Sequence, residues 1–211
     1  MNVFIASANP GKIKEIKAIL AGSSLDLLSV LDAEKLKNLG IELDQNFDVA
    51  EDGQTFQDNA LLKARAYATL TGLPTIADDS GLEVQALNGF PSVQSNRWFD
   101  GTTSERNKAL LDLLKDQTNR QARFYSVICF FDPKKNTAKF FDGEIKGEIA
   151  PEPKGSKIEG FGYDPIFIPE GFKESFAQLG AEFKNTISHR RIALFKLNQY
   201  VLQDKHLEQP E

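Results

Sequence analysis

The stretch ARFYSVICFFDPKKNTAKFFDGEIKGEIA, residues 122–150, decides the fold class. Its two runs of aromatic and β-branched residues are typical of long strands, and the short turn PKKNT between them favours an antiparallel pair. Upstream, strand-like segments such as NVFIAS at residues 2–7 alternate with segments that repeat apolar residues at helical spacing. This order predicts an α/β fold, in which helices pack on a long mixed β-sheet and two lobes enclose a central cleft.

The segment TFQDNALLKARAYATLTG, residues 55–72, has the clearest helical pattern in the chain. Thr55 and Asp58 are spaced as in a capping box, which predicts the first turn of a helix. The other face of this helix carries Thr55, Asn59 and Lys63, four residues apart. The pattern therefore predicts a helix that presents polar groups as well as a packing face.

The composition limits the class of protein. The 211 residues are 41% hydrophobic and carry a formal net charge of −5, which disfavours binding to a nucleic acid polymer. The first residues lack the basic region of a signal peptide, and no run approaches the ~18 apolar residues of a membrane span, so we expect a cytoplasmic protein without a membrane partner. The single cysteine, Cys129, lies in an apolar strand-like run and is expected to be a buried, inert thiol.

The first loop follows a strand and precedes a helix, and it carries Ser7, Asn9 and Lys12. Backbone amides at a helix N-terminus favour an anion, and a lysine adds a full positive charge, so this loop is able to bind phosphate. It is not a P-loop, because Ile13 stands where Ser or Thr would bind magnesium. A polar turn with a solvated lysine is the alternative.

Two adjacent acids, Asp78 and Asp79, follow the strand-like PTIA of residues 74–77. The pair is compatible with a turn, in which Asp and Ser are common. It is equally compatible with a site for a divalent cation, with Glu51 as a further ligand. Oxygen ligands without Cys or His favour magnesium or manganese over zinc.

Two later segments also carry candidate site residues. In FGYDP, residues 161–165, the aromatic side chains either pack inward or stack on a flat ligand, and Asp164 is able to accept a hydrogen bond from a base. In KNTISHRR, residues 184–191, Ser188 is a reasonable N-cap and three cationic side chains fall in the first helical turn, where the helix dipole disfavours them. They need an anion, which an acidic side chain of another segment or a triphosphate would supply.

Together these segments resemble the inosine/xanthosine triphosphate pyrophosphatase family, whose members hydrolyse non-standard purine nucleoside triphosphates. The resemblance is carried, in order, by SANPGK, EDGQTFQDNALLKA, ADDSGLEVQALNGFPSVQSNR, GFGYDPIF and KNTISHR. It extends from residue 7 to residue 190 and implies an ITPase-like fold, a homodimer and a Mg²⁺ cofactor. The implied reaction is Mg-dependent hydrolysis of dITP, ITP, XTP or dXTP to the nucleoside monophosphate and pyrophosphate, which removes these nucleotides before they enter DNA or RNA.

The resemblance also implies roles for individual residues. Asp79 is the implied catalytic base and, with Glu51, a magnesium ligand, while Asp78, Asn59 and Lys63 support the site. The implied substrate-binding residues are Ser7, Ala8, Asn9, Pro10, Gly11, Lys12, Ser80, Phe161, Gly162, Tyr163, Asp164, Lys184, His189 and Arg190.

The chain departs from the family pattern at Asp58, Ser92, Asn96 and Phe183, none of which is an implied catalytic group. We expect one pyrophosphatase domain of two lobes over residues 1–205 and a flexible tail over residues 206–211. Two other functions stay open: a nucleotide phosphatase that releases inorganic phosphate, and a nucleotide-binding protein without catalysis.

Overall fold

The computed structural model describes residues 1–44, 47, 49–155 and 162–207. In chain order its elements are β1 (Asn2–Ile5), α1 (Pro10–Ile19), β2 (Asp26–Leu28), α2 (Ala33–Asn38), α3 (Phe56–Thr71), β3 (Thr75–Val84), α4 (Thr103–Leu113), β4 (Gln121–Asp132), β5 (Thr137–Ile149), β6 (Phe167–Pro169), α5 (Phe176–Ile187) and α6 (His189–Leu207). Short 3₁₀ turns cover Gln85–Leu87, Ser92–Gln94 and Asp164–Ile166.

Among the described residues the strands form one six-stranded sheet in the order β2-β1-β3-β4-β5-β6. Strand β1 pairs in parallel with β2 and with β3, whereas β5 and β6 are antiparallel. Strands β4 and β5 are neighbours joined by four residues, a connection too short for a parallel pair. The predicted mixed sheet with flanking helices is therefore confirmed.

Helix α3 begins as its sequence predicts. The Thr55 hydroxyl accepts a hydrogen bond from the Asp58 N–H at 3.1 Å, and the Asp58 carboxylate accepts one from the Thr55 N–H at 3.1 Å. This reciprocal capping box satisfies two amides that the helix leaves without internal partners. Gly72 ends the helix in the left-handed region, at φ 66°.

Strand β3 differs from its prediction. The sequence suggested a short strand ending before the acidic pair, but β3 runs without a break from Thr75 to Val84. Asp78 and Asp79 thus lie inside a strand and are 3% and 4% exposed. The turn alternative for this pair was wrong, because buried cationic side chains compensate both carboxylates, as described below.

The described chain divides into two compact units. Unit 1 comprises Met1–Asp79, Ser126–Asp142 and the chain from Arg190 onward, and unit 2 comprises Ser80–Tyr125 and Gly143–His189. The two lobes with a cleft, and the single domain over residues 1–205, stay predictions.

Each unit has its own apolar core. In unit 1, residues of β1, α1 and β3 pack with an apolar stripe of α6, which includes Ala193, Leu194, Leu197 and Val201. In unit 2, Leu82 and Phe124 pack with Tyr163, Phe167 and Phe176. Helices α1 and α3 and the part of β3 up to Asp79 belong to unit 1, and the segment around Tyr163 belongs to unit 2.

Sequence reasoning missed α2, α5 and β6. Helix α5 is interrupted at Gly180, whose φ of 82° and ψ of 162° are not helical, so its apolar periodicity does not continue across the helix. Helix α6 extends to Leu207, while the rest of the expected tail, residues 208–211, lies outside the described residues. No helix in the described part of the chain is long and apolar enough to cross a membrane.

Candidate active site

The predicted phosphate loop forms the N-terminus of α1. Asn9 is the N-cap, and its side-chain oxygen accepts a hydrogen bond from the Lys12 N–H at 3.2 Å. The Ser7 hydroxyl in turn accepts one from the Asn9 N–H at 3.2 Å. The loop residues Ala8, Pro10 and Gly11 are exposed, so an anion has access to the positive end of the helix dipole.

Asp78 is the centre of a buried ion network in unit 1. Arg190 donates to both of its carboxylate oxygens, from Nε at 3.2 Å and from Nη2 at 3.0 Å. Lys12 Nζ lies 2.9 Å from Asp78 Oδ2, and the Ser126 hydroxyl donates to Asp78 Oδ1 at 2.6 Å. Arg190 Nη1 also donates to Glu15 Oε2 at 2.7 Å. Opposite charges therefore alternate from Glu15 through Arg190 and Asp78 to Lys12.

This network fixes the ionisation of its members. Burial by itself would raise the pKa of Asp78, but the charges of Arg190 and Lys12, with hydrogen bonds from Arg190 and Ser126, hold that pKa well below its usual range. Burial would lower the pKa of Arg190, and the charges of Asp78 and Glu15 outweigh it, so the guanidinium pKa is raised. Asp78 is thus a permanent anion that orients Lys12.

Asp79 points to a second cluster, built by α3. Lys63 Nζ lies 3.0 Å from Asp79 Oδ1 and 2.5 Å from Glu51 Oε1, and it donates to the Asp78 carbonyl at 2.9 Å. Asn59 Nδ2 donates to Asp79 Oδ2 at 3.2 Å. Asn59 and Lys63 are the polar pair whose spacing on α3 was noted in the sequence. Two carboxylates therefore converge on one cationic nitrogen.

The ionisation of Asp79 differs from that of its neighbour Asp78. Burial raises the pKa of Asp79, the charges of Lys63 and Lys12 lower it, and Glu51 raises it, so that the pKa lies above its ordinary value. Burial would lower the pKa of Lys63, but the charges of Asp79 and Glu51 raise it. A carboxylate with a raised pKa is the better proton acceptor of the two.

The loop that carries Glu51 requires a glycine. The Gly53 N–H donates to Asn59 Oδ1 at 2.8 Å. A Cβ atom at Gly53 would lie 2.6 Å from Asp58 Cβ and 2.7 Å from Asn59 Oδ1, closer than nonbonded atoms approach. Glycine therefore allows this loop to lie against the start of α3, and Asn59 contacts both the loop and Asp79.

In unit 2, Asp164 and Lys184 form a buried ion pair. Lys184 Nζ lies 2.8 and 3.0 Å from the two carboxylate oxygens of Asp164, and it also lies 5.6 Å from the centre of the Phe176 ring. Gly162 is partly exposed and has φ 62°, a backbone conformation that favours glycine. Phe161 lies outside the described residues.

Tyr163 and His189 are also buried in unit 2. Tyr163 is 3% exposed, so its ring packs inward, as one of the two alternatives for this segment predicted. The His189 imidazole stacks on Phe124, with ring centres 4.8 Å apart and planes 12° apart. Ser80, which directly follows Asp79, is partly exposed.

The structure thus gathers Ser7, Asn9, Lys12, Glu51, Asp79 and Arg190 in unit 1, and Gly162, Tyr163, Asp164, Lys184 and His189 in unit 2. The sequence predicted that the cationic first turn of α6 needs an anion. For Arg190, Asp78 and Glu15 supply the negative charge. Sequence reasoning missed Glu15 and Ser126. Glu15 stands one helical turn after Lys12, which places the two side chains on the same face of α1. Ser126 is a hydroxyl inside an apolar strand. Both features are visible in the sequence and indicate a polar role.

Comparison with known proteins extends this picture. The model of the Ham1 family matches residues 3–200. The dITP/XTP pyrophosphatase of Aquifex aeolicus (strain VF5) is 40% identical over 208 residues, covering 93% of this chain and 95% of the relative. That of Xylella fastidiosa (strain Temecula1) is 44% identical over 202 residues, covering 92% of this chain and 93% of the relative.

Solved structures agree with the fold. The Staphylococcus aureus Ham1 protein has a TM-score of 0.80 at 37% identity, covering 97% of this chain and all of that one. A HAM1 protein from Coxiella burnetii has a TM-score of 0.81 at 35% identity, covering 96% of this chain and 99% of that one.

Proposed function

The chain belongs to the Ham1 family, and from this membership we propose that it hydrolyses non-canonical purine nucleoside triphosphates, among them dITP and XTP, to the nucleoside monophosphate and pyrophosphate. The resemblance drawn from its motifs is confirmed. The observation that carries the proposal is the buried Asp79, held between Lys63 and Asn59 beside Glu51 and next in the chain to the Asp78–Lys12 pair. Phosphate-binding charge and a proton acceptor are thus present in one unit.

The residues fit a Mg²⁺ ion. Asp79 Oδ1 and Glu51 Oε1 both lie within 3.0 Å of Lys63 Nζ, so they already converge on one positive charge. The described residues hold no group of three His, Cys, Asp or Glu side chains suited to a metal. Mg²⁺ is usually bound by one or two carboxylates, with waters and substrate phosphates as its other ligands. When bound by Glu51 and Asp79, Mg²⁺ would offset phosphate charge and lower the pKa of water.

The side chains divide the work of the reaction. Asp79 accepts the proton of the attacking water, since its raised pKa brings it closer to a working base. Lys12 and the N-terminus of α1 stabilise the negative charge that grows on the leaving pyrophosphate. Lys63 keeps Asp79 and Glu51 in place. Arg190 and Ser126 hold Asp78, which orients Lys12.

We assign base recognition to unit 2, where Asp164, Lys184 and His189 supply polar groups. Side chains that donate hydrogen bonds to a purine 6-oxo group would instead face the amino group of adenine, which is itself a donor, and such a mismatch is able to cost ~10⁴ in rate. The predicted contact of Arg190 with the substrate stays a prediction. Its bonds to Asp78 and Glu15 favour a supporting role. His189, which lies in the same unit as Asp164 and Lys184, is the other candidate donor.

In the cell this activity would remove deaminated purine nucleotides from the precursor pool before a polymerase uses them. We further propose a homodimer that works in the cytoplasm on small nucleotide substrates and binds neither nucleic acid polymer nor membrane. The acidic net charge of −5 supports the preference for small ligands over a polymer.

The test is pyrophosphate release in the presence of Mg²⁺ from dITP, XTP, dGTP and dATP, with and without EDTA. We expect fast release from dITP and XTP alone, and loss of at least 10²-fold in kcat for Asp79→Asn, the cost typical of removing a general base. Asp112→Asn, an exposed acid on α4, is the matched control and should keep full activity.

The same assay separates the two alternatives. Release of inorganic phosphate in place of pyrophosphate would identify a phosphatase and contradict the proposal. Nucleotide binding without turnover, unchanged by Asp79→Asn, would identify a binding protein.

A further inference from the structure

Trp98 is the one tryptophan of the chain, and it contacts the segment assigned to base recognition. Its indole Nε1–H donates to the Tyr163 hydroxyl oxygen at 2.6 Å. The indole ring packs edge-on against Phe90 and Phe99, with ring centres 5.0 and 5.6 Å apart. Aromatic packing therefore fixes the direction of the indole N–H.

The Tyr163 hydroxyl continues this hydrogen-bond chain. It donates to the Ser95 carbonyl at 2.7 Å. The Ser95 hydroxyl donates to the Ser92 carbonyl at 2.6 Å and accepts from the Leu82 N–H of β3 at 2.9 Å. Tyr163 is thereby connected, through Ser95, to Leu82 of β3, within unit 2.

Two residues of α4 fix the same segment from their side. The guanidinium of Arg106 lies 5.3 Å from the centre of the Tyr163 ring. Asn107 Nδ2 donates to the Gly162 carbonyl at 3.1 Å. Gly162, with its positive φ, and Tyr163 are thus each held by a contact from outside the segment.

These contacts decide what the Tyr163 side chain is able to do. Its ring is 3% exposed, and its hydroxyl both accepts from Trp98 and donates to Ser95. A side chain used in this way fastens the segment and does not present a stacking surface. The next residue, Asp164, is the one whose carboxylate, paired with Lys184, carries the polar chemistry.

We propose that Trp98 is a positioning residue for purine recognition: its hydrogen bond to Tyr163 holds the segment 162–164 in the conformation that contacts the base. The inference rests on the proposed function, because it takes this segment as the base site. The contacts of Trp98 are with Tyr163 and with the rings of Phe90 and Phe99, so its loss should weaken base recognition and leave the chemical step intact.

The experiment compares Trp98→Phe, Tyr163→Phe and the double variant with the wild type, using dITP and dATP. Trp98→Phe keeps an aromatic ring and removes the donor. Loss of one neutral hydrogen bond predicts a KM for dITP raised about 2- to 10-fold with kcat kept within about 2-fold, and a lower preference for dITP over dATP. The double variant should be no worse than Tyr163→Phe alone, since both remove the same bond.

Tyr67→Phe is the matched control, because the Tyr67 hydroxyl donates to the Phe47 carbonyl in unit 1 at 3.1 Å. It should leave the preference for dITP unchanged. If Trp98→Phe does not fold, as circular dichroism would show, Tyr163→Phe takes its place, since it removes the same bond from the other side.

An unchanged KM and preference in both single variants, or additive losses in the double variant, would overturn the inference. A wild-type protein that releases no pyrophosphate from dITP would instead refute the proposed function, so the two failures are distinguishable.

Discussion

Replacing Arg190 by Met tests whether the buried ion network of unit 1 is a structural requirement. The side chains of Arg190 and Asp78 are 2% and 0% exposed, and they meet through two hydrogen bonds. Methionine fills part of the arginine volume but supplies no charge. Asp78 would keep Lys12 and Ser126 as partners, and Glu15 would lose the Arg190 bond.

The size of the effect follows from this geometry. Two unit charges about 4 Å apart attract by about 4 kcal/mol at an effective dielectric constant of about 20. Removing one partner of a buried ion pair typically costs about 3–5 kcal/mol, because the other charge stays buried. We expect Arg190→Met to lower the free energy of unfolding by that amount at pH 7. Asp78→Asn should then cost less in the Arg190→Met background than in the wild type.

Urea unfolding followed by circular dichroism measures this loss, and Arg191→Met is the control. Arg191 is the next residue of α6, is partly exposed, and lies over the Phe195 ring, a contact of about 0.5–1 kcal/mol. If Arg190→Met and Arg191→Met lower the free energy of unfolding by the same small amount, the reasoning is refuted. It is also refuted if the losses from Asp78→Asn and Arg190→Met simply add in the double variant.

The free energy of unfolding lost in Arg190→Met should also depend on pH in a defined direction. The pKa of Asp78 lies well below its usual range, so the stability it contributes is fully present above its unfolded-state pKa of about 3.9. That contribution is lost as the pH falls through the folded-state pKa. Without Arg190 the folded-state pKa rises, so the gap between wild type and Arg190→Met should be widest near neutral pH and narrow below about pH 4.

Two further predictions concern other buried groups. Lys63→Met removes a charge that lowers the pKa of Asp79, so the acid limb of the kcat/KM profile against pH should move to higher pH. The control Lys108→Met, at an exposed lysine of α4, should leave the limb in place. An unmoved limb in Lys63→Met would contradict this role of Lys63. Burial raises the pKa of Cys129 to about 12, so at pH 8 only about 10⁻⁴ of the thiol is ionised. A disulfide reagent such as DTNB should therefore react with it only in urea, and reaction of the native protein within minutes would show that the thiol is accessible.

The parts of the fold that were predicted correctly carry local signals. Helix α3 was placed from Thr55, Asp58 and Gly72, since capping residues act within a single turn. Strands β4 and β5 were placed from their composition and the short turn between them. In each case the interaction that determines the element joins residues only a few positions apart in the sequence.

The continuity of β3 could not be predicted in this way. A carboxylate inside a strand looks unfavourable until its partners are known, and the partners of Asp78 and Asp79 come from α1, α3, β4 and α6. Lys63 is 16 residues from Asp79, and Arg190 is 112 residues from Asp78. The assignment of Asp79 as the site came from the motif as a whole, whereas the roles of Glu15 and Ser126 required the packed structure.

The division of the chain into units has a consequence for its synthesis. Neither unit is one continuous segment, since the chain passes between them at residues 79/80, 125/126, 142/143 and 189/190. Asp78 leaves the ribosome 112 residues before Arg190, about 6–22 s at a rate of about 5–20 residues per second. During that interval the nascent chain lacks the guanidinium that neutralises Asp78. Unit 1 is therefore completed only when α6 has been made, and a chain released before residue 190 would leave β3 open to proteases and aggregation.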